Sequence, residues 1–346
     1  MQTRPASTKS HRKEGTLETV AEKAKEVLER LSIISRGGEW SIGIYRGDHP
    51  TRLHEPGRPK NPILTRHHVA DARAAYVADP FLVRHSANWI LFFEILNADR
   101  MIGEIAHAVS FDGKSWNYAG RVLAEPFHLS YPLVFAHEGD WYMVPESSAI
   151  GEVRLYRAEV FPTRWAPVRT LLSGKPFSDT TIHSHGNRWW LFSDASDHKK
   201  SDTLCLYSSS ALHGPYLEHP QSPIVRDDPT AARPAGRLVS TNDGIIRFAQ
   251  ICRPHYGAGV NAFMIARLTP DEYQEQSDPL GQVLTARRRG WNGSGMHHID
   301  AHLLPCGDWF AAVDGMSSGS MNRPRPPRLL RRRVQKATRS RHGAPQ

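Results

Sequence analysis

Three times, and without a gap, the chain writes one sixteen-residue phrase: DPFLVRHSANWILFFE at 79–94, YPLVFAHEGDWYMVPE at 131–146 and DTTIHSHGNRWWLFSD at 179–194. A recurrence of about fifty residues confines a chain to folds assembled from one repeated supersecondary unit. Each copy has the same order. An opening residue (Asp79, Tyr131, Asp179) leads an apolar stretch to a His (His85, His137, His185), a short turn, a Trp (Trp89, Trp141, Trp189), a second apolar stretch and a closing carboxylate (Glu94, Glu146, Asp194). That order reads as strand, tight turn, strand.

Behind each phrase follows a second strand pair, beginning GEIAHAVS, GEVRLYRA and DTLCLYSS. Four antiparallel strands per unit is the make-up of a propeller blade. Two weaker copies, RPAGRLVSTNDGIIRFAQ (233–250) and HHIDAHLLPCGDWFAAVD (297–314), bring the number of blades to five. The last copy has too little chain behind it to complete a blade. The early segment WSIGIYRG is therefore expected to join it and close the ring, because an open ring would leave bare strand edges. The fold class is all-β, a five-bladed β-propeller over 39–316, with a leader and helix over 1–38 and a basic, disordered tail over 317–346.

Composition supports turns over helices, with 25 Pro and 26 Gly. One amphipathic helix is expected at 15–35, where Leu17, Val20, Ala24, Val27, Leu28 and Leu31 share a face and Thr16 stands as N-cap. The net charge of +9 resides in the tail, where nine Lys and Arg follow Arg323 inclusive with no acid among them, leaving the body neutral (9 − 9 = 0). Such a tail would touch anionic surfaces only weakly. Three scattered Cys exclude a disulfide framework and a thiolate zinc site. With neither a secretory leader nor an apolar run of spanning length, a soluble, cytoplasmic protein is expected.

In a tight hairpin the first residue of one strand lies beside the last of the other. Asp79 is thus expected to face Glu94, Tyr131 to face Glu146, and Asp179 to face Asp194, all at the end away from the turn. If the first strand of every blade lines the axis, these ends gather at one mouth ringed by carboxylates. Crowding and burial then separate their proton affinities, so that one site can hold both an acid and a base. The His and Trp near the turns are expected to be structural, the Trp as core between blades.

The phrases ADPFLV (78–83), PFHLSYPLVFAHEGDWYMVPES (126–147), RPAGRL (233–238) and GMHHIDAH (295–302) resemble the propeller domain at the N-terminus of plant glucosamine inositolphosphorylceramide transferases and their bacterial relatives. That domain is similar to the five-bladed glycosidases of family 43. The resemblance covers about residues 40–315. It implies an inverting site with an Asp base in the first blade, a helper Asp in the second and a Glu acid in the third. Asp79 matches the base. Tyr131 stands in place of the helper Asp, and Glu146 closes the second repeat rather than the third, so Asp79, Glu146 and Asp179 would serve as base, acid and pKa tuner in some order. An inverting pair would stand roughly 6.5–9.5 Å apart.

Around this trio, sugar contacts are expected from Glu94, Tyr131, Arg233, Arg237, Trp291, His297, His298 and Asp300. Tyr131 and Trp291 would offer ring faces. The two Arg would offer a fork for a phosphate or carboxylate, or would pair with the carboxylate ring. Alternation puts His298, Asp300 and His302 on one strand face; a polar lining is expected there, with no metal and no cofactor. Two readings follow. The first is a carbohydrate-active propeller that acts on or binds a glycan or glycoconjugate. The second is a non-catalytic sugar-recognition module assisting a glycosyltransferase partner. A protein-interaction propeller would account for the tail but not for the carboxylates.

Overall fold

The computed structural model describes residues 38–197 and 200–317. The expected helix at 15–35 and the basic tail lie outside the described residues. Twenty strands follow in chain order: β1 (Trp40–His49), β2 (Arg52–His54), β3 (Ala74–His85), β4 (Asn88–Asn97), β5 (Ile102–Ser110), β6 (Asn117–Leu123), β7 (Ser130–His137), β8 (Asp140–Ser147), β9 (Glu152–Val160), β10 (Arg164–Ser173), β11 (Ser178–His185), β12 (Arg188–Asp194), β13 (Leu204–Ser209), β14 (Leu217–Glu218), β15 (Val239–Thr241), β16 (Gly244–Ile251), β17 (Gly259–Leu268), β18 (Tyr273–Thr285), β19 (Ile299–Leu303) and β20 (Trp309–Met316). They form five four-stranded sheets, β3 to β6, β7 to β10, β11 to β14, β15 to β18, and β19-β20-β1-β2, called blades one to five below. The fifth is closed as expected, with β1 zipped antiparallel to β20 from Trp40↔Met316 to Gly47↔Trp309.

Apolar residues on both faces of each blade explain runs such as ILFFEIL, since a sheet covered on two sides needs no polar face. Val83, Ile90 and Phe92 of blade one meet Val134, Met143 and Tyr156 of blade two. Equivalent layers join blades two and three, three and four, and four and five. A further layer packs Ile42, Ile44, Phe310 and Ala312 of blade five against Val77, Leu82 and Leu91 of blade one, so the ring is continuous. Each large apolar side chain fully buried there contributes roughly 1.5–3 kcal/mol.

The repeated His and Trp interlock blades one with two and two with three, and His302, which stands outside the repeat position, does the same for blades five and one. His85 of blade one lies 5.8 Å from Trp141 of blade two, His137 of blade two lies 4.9 Å from Trp189 of blade three, and His302 of blade five lies 5.8 Å from Trp89 of blade one. These rings hold the turn ends together.

At the other end the hairpins depart from simple alternation. The residues opposite Glu94, Glu146 and Asp194 are Ala78, Ser130 and Ser178, one place earlier than expected. Register shifts follow, and Asp79, Tyr131 and Asp179 take positive φ of 53°, 46° and 48°. Such a bulge lifts the opening residue off the ladder and re-aims its side chain. The expected pairings across the hairpin are thereby corrected, because the extra residue breaks the period of two.

Candidate functional site

On one side of the carboxylate cluster, blade five supplies partners for Asp79. The imidazole of His297 stands between two carboxylates, with Nε2 3.2 Å from Asp79 Oδ1 and Nδ1 2.9 Å from Asp314 Oδ2. Both are charge contacts without the alignment of a hydrogen bond. The Asp79 amide donates to Asp314 Oδ2 at 3.3 Å, and Asp79 Oδ2 accepts the Tyr131 amide at 3.3 Å. Burial by itself would raise the Asp79 carboxyl, but His297, with His298 and Arg233, holds it down at about 2. Burial likewise opposes a charged His297, and the Asp314 and Asp79 carboxylates overcome it, lifting the imidazole to about 10.

Asp79, His297 and Asp314 each bring one donor atom to within 4.8 Å of the others. With both imidazole nitrogens turned to carboxylates, this set suits an imidazolium, which itself supplies the positive charge, better than a metal ion. His298 is different. It is fully buried, its ring edges meet Phe81 and Tyr131, and burial pushes its proton affinity down.

On the other side, the carboxylates face one another. The Asp179 amide donates to Glu146 Oε2 at 3.1 Å, and Ser148 Oγ donates to Glu146 Oε1 at 2.6 Å. Arg233 Nε reaches Asp179 Oδ2 at 2.6 Å and its Nη2 stands 3.7 Å from Glu146 Oε2. Gln250 Nε2 donates to the same Asp179 oxygen at 2.6 Å. Burial and the neighbouring Asp179 charge push Glu146 up to about 7 against the pull of Arg233. Here one carboxyl exchanges its proton near neutrality, while Asp79 stays ionised.

The other expected contacts fall in several places. Tyr131 is fully buried, edge-on to Phe81 at 4.8 Å, and its hydroxyl meets Thr181 Oγ1 (2.7 Å) and the Gly236 carbonyl (2.9 Å). It ties blades two, three and four together and presents no ring face, which corrects that expectation. Gly236 is required where it stands: with φ of 139°, a Cβ there would lie 1.7 Å from the Ile299 carbonyl oxygen. Arg237 pairs with Asp300 and donates to the carbonyls of Leu82 and Val134 at 3.1 and 3.2 Å, so it cross-links four blades. Asp300 also accepts from the Leu82 amide at 2.6 Å and meets His302 Nε2 at 2.9 Å; burial opposes its charge, yet Arg237 and His302 hold its carboxyl far below the usual range. Glu94 meets Tyr76 and His128. Trp291 is enclosed between blades four and five rather than offering a platform, because Gly43 and Gly315 let its ring lie against β1 and β20, and its Nε1 donates to Glu55 at 3.2 Å.

Three residues escaped the sequence reading. Asp314 closes the fifth repeat five positions after Trp309, as Glu94, Glu146 and Asp194 follow Trp89, Trp141 and Trp189; the spacing alone could have found it. Gln250 occupies that position in blade four, where a Trp-based search fails because Ile245 replaces the Trp. Tyr256 lies in a connecting loop outside the repeat. Its partly exposed ring lies 5.0 Å from His297, with the Arg233 guanidinium 5.2 Å over it.

Residues 34–316 match the family model described as glucosamine inositolphosphorylceramide transferase 1, N-terminal. Glucosamine inositolphosphorylceramide transferase 1 of Oryza sativa subsp. indica is 38% identical over 299 residues, covering 80% of this chain and 40% of the relative. The chain thus spans less than half the length of that relative. Among solved structures, the catalytic domain of Coprinopsis cinerea GH62 alpha-L-arabinofuranosidase superposes with a TM-score of 0.51 at 14% identity, over 76% of this chain and 83% of that one. The exo-beta-1,3-galactanase 1,3Gal43A from Clostridium thermocellum gives 0.50 at 11%, over 62% and 51%. At such identities the structural likeness speaks for the five-bladed fold. Matched over most of its length, the chain belongs to the family of the N-terminal domain of glucosamine inositolphosphorylceramide transferase 1.

Proposed function

We propose that the mouth between Asp79 and Glu146 is a carbohydrate site that acts on a glycan or glycoconjugate, with Glu146 as the acid and Asp79 as the permanently ionised carboxylate. The observation that carries this reading is the split in proton affinity between two buried carboxyls of adjacent blades, about 7 for Glu146 and about 2 for Asp79. A group that titrates near 7 can give up a proton to a leaving oxygen at neutral pH, and one held near 2 can stabilise positive charge developing on a sugar ring. Asp179 and Arg233 tune the acid, one raising and one lowering its affinity. Tyr256, a partly exposed residue beside them, would bring its ring to a sugar face. The name of the plant relatives supports a glycoconjugate built on an inositol phosphate lipid.

Screening the full chain against glycosides and glycolipids tests this: Glu146→Gln and Asp79→Asn should each sharply lower turnover of the substrate found. Full turnover in either variant would remove its proposed role. Tyr131, standing where the resemblance calls for a helper Asp, favours a second reading, a sugar-recognition module that serves a glycosyltransferase partner. Calorimetry showing tight glycan binding with no product would select that reading, and hydrolysis of the same glycan would exclude it.

A further inference from the structure

We propose that Asp314 is the positioning residue of the site, acting through His297 to hold the Asp79 carboxylate in place and negatively charged. The inference rests on the reading of Asp79 as the ionised carboxylate of the mouth. Asp314 is wholly buried, and its two oxygens serve four groups. Oδ1 accepts the backbone amides of His297 at 3.0 Å and His298 at 3.1 Å. Oδ2 accepts the Asp79 amide at 3.3 Å and faces His297 Nδ1 at 2.9 Å. One side chain therefore fixes the bulge that aims Asp79, the chain that carries the two histidines, and the orientation of the imidazole.

Comparison within the ring separates clamping from charging. In blade two the equivalent Glu146 also accepts the amide of the positive-φ residue of the next blade, Asp179, at 3.1 Å. Glu146 and Asp314 thus share the fastening of the next blade's amide, whereas the Tyr131 amide goes to Asp79 itself. At blade five the fastened residue additionally meets an imidazole that the same carboxylate has charged. The groups facing Asp79 are His297, His298 Nδ1 at 3.7 Å, the Tyr131 amide and, through its charge, Arg233. Those facing His297 are the two carboxylates, the adjoining imidazole of His298, whose own proton affinity burial lowers, and the rings of Trp40 at 4.2 Å and Tyr256 at 5.0 Å. Among the described residues no Lys or Arg is paired with His297, so removing the Asp314 charge should be felt directly at the imidazole.

The test is the titration of the His297 imidazole, followed by NMR in the full chain. Asp314→Asn keeps an oxygen for the amides and removes the charge; it should lower the proton affinity of His297 at least tenfold. Asp300→Asn, in the same blade but paired with Arg237, should leave the His297 titration where it was. If Asp314→Asn does not fold, Asp79→Asn supplies the answer: with Asp314 still charging it, His297 should keep an affinity at least tenfold above that of a free imidazole. An unmoved His297 in Asp314→Asn, or an ordinary one in Asp79→Asn, would reduce Asp314 to a backbone clamp and overturn the proposal. Because the readout needs no sugar, failure to find a substrate would count against the carbohydrate reading and leave this result standing.

Discussion

The two carboxylate clusters are built from equivalent positions of one repeat, yet they handle protons in opposite ways. Around Asp79 the acids are separated by an imidazole, and each carboxylate stabilises the charge of the ring between them. Around Glu146 the nearest acid is Asp179, and Arg233 satisfies that acid more closely than it does Glu146, at 2.6 Å against 3.7 Å. What distinguishes a poised acid from a permanent anion here is the identity of the group inserted between like charges, since both are buried alike.

The strongest way to break the contrast is to remove its members. Asp79→Asn and Glu146→Gln should each lower turnover by roughly 10²–10⁴-fold, the range for loss of a positioned acid or base, as read from initial rates on the substrate identified by screening. In the native chain, turnover should fall as pH rises through about 7, where Glu146 loses its proton.

Next in size is removal of the spacer. His297→Leu leaves Asp79 and Asp314 buried without their cation and should cost about 3–5 kcal/mol in denaturant unfolding at neutral pH. The sign with pH is set by the raised affinity of the imidazole. Its stabilisation is whole below 6.5 and disappears as pH climbs through about 10, so the gap between native and variant stability should narrow over that window.

A smaller effect, with the same sign in pH but at a lower pH, belongs to Glu146. Its raised affinity means that the folded chain binds more protons than the unfolded one between about 4.5 and 7, so stability falls as pH rises across that range. Glu146→Gln should flatten this slope, a change of up to about 3 kcal/mol, visible as unfolding midpoints that no longer drop between pH 5 and pH 8. The smallest expected change is at the rim. Tyr256→Ala should weaken glycan binding by about 1 kcal/mol, and Tyr256→Phe, which keeps the ring, should bind as the native chain does in calorimetry.

Much of this architecture could be read from residues alone. The blades, their number and the closing role of WSIGIYRG follow from spacing; His85 and His137 each meet the Trp of the next blade, while His185 lies beside His183 of its own strand. The bulges at Asp79, Tyr131 and Asp179 could not be read, because one residue of positive φ leaves no mark on an apolar pattern. Pairings between blades were equally hidden. That Arg237 is bound to Asp300, and Arg233 to Asp179, depends on which side chains meet across the axis. Tyr131 shows the same limit: a residue in a catalytic position by alignment became a strut once its hydroxyl met Thr181 and Gly236.

The zipped pairing of β1 with β20 has a consequence for how the charged centre comes into being. Asp79 belongs to the first complete blade, but His297 and Asp314 lie more than two hundred residues downstream, and Asp314 sits in the strand that must find Trp40–His49 before the ring is shut. Until those residues emerge, the Asp79 carboxylate of a nascent chain has water for company. Only the seam, once sealed, gives that acid the partners that make its charge tolerable.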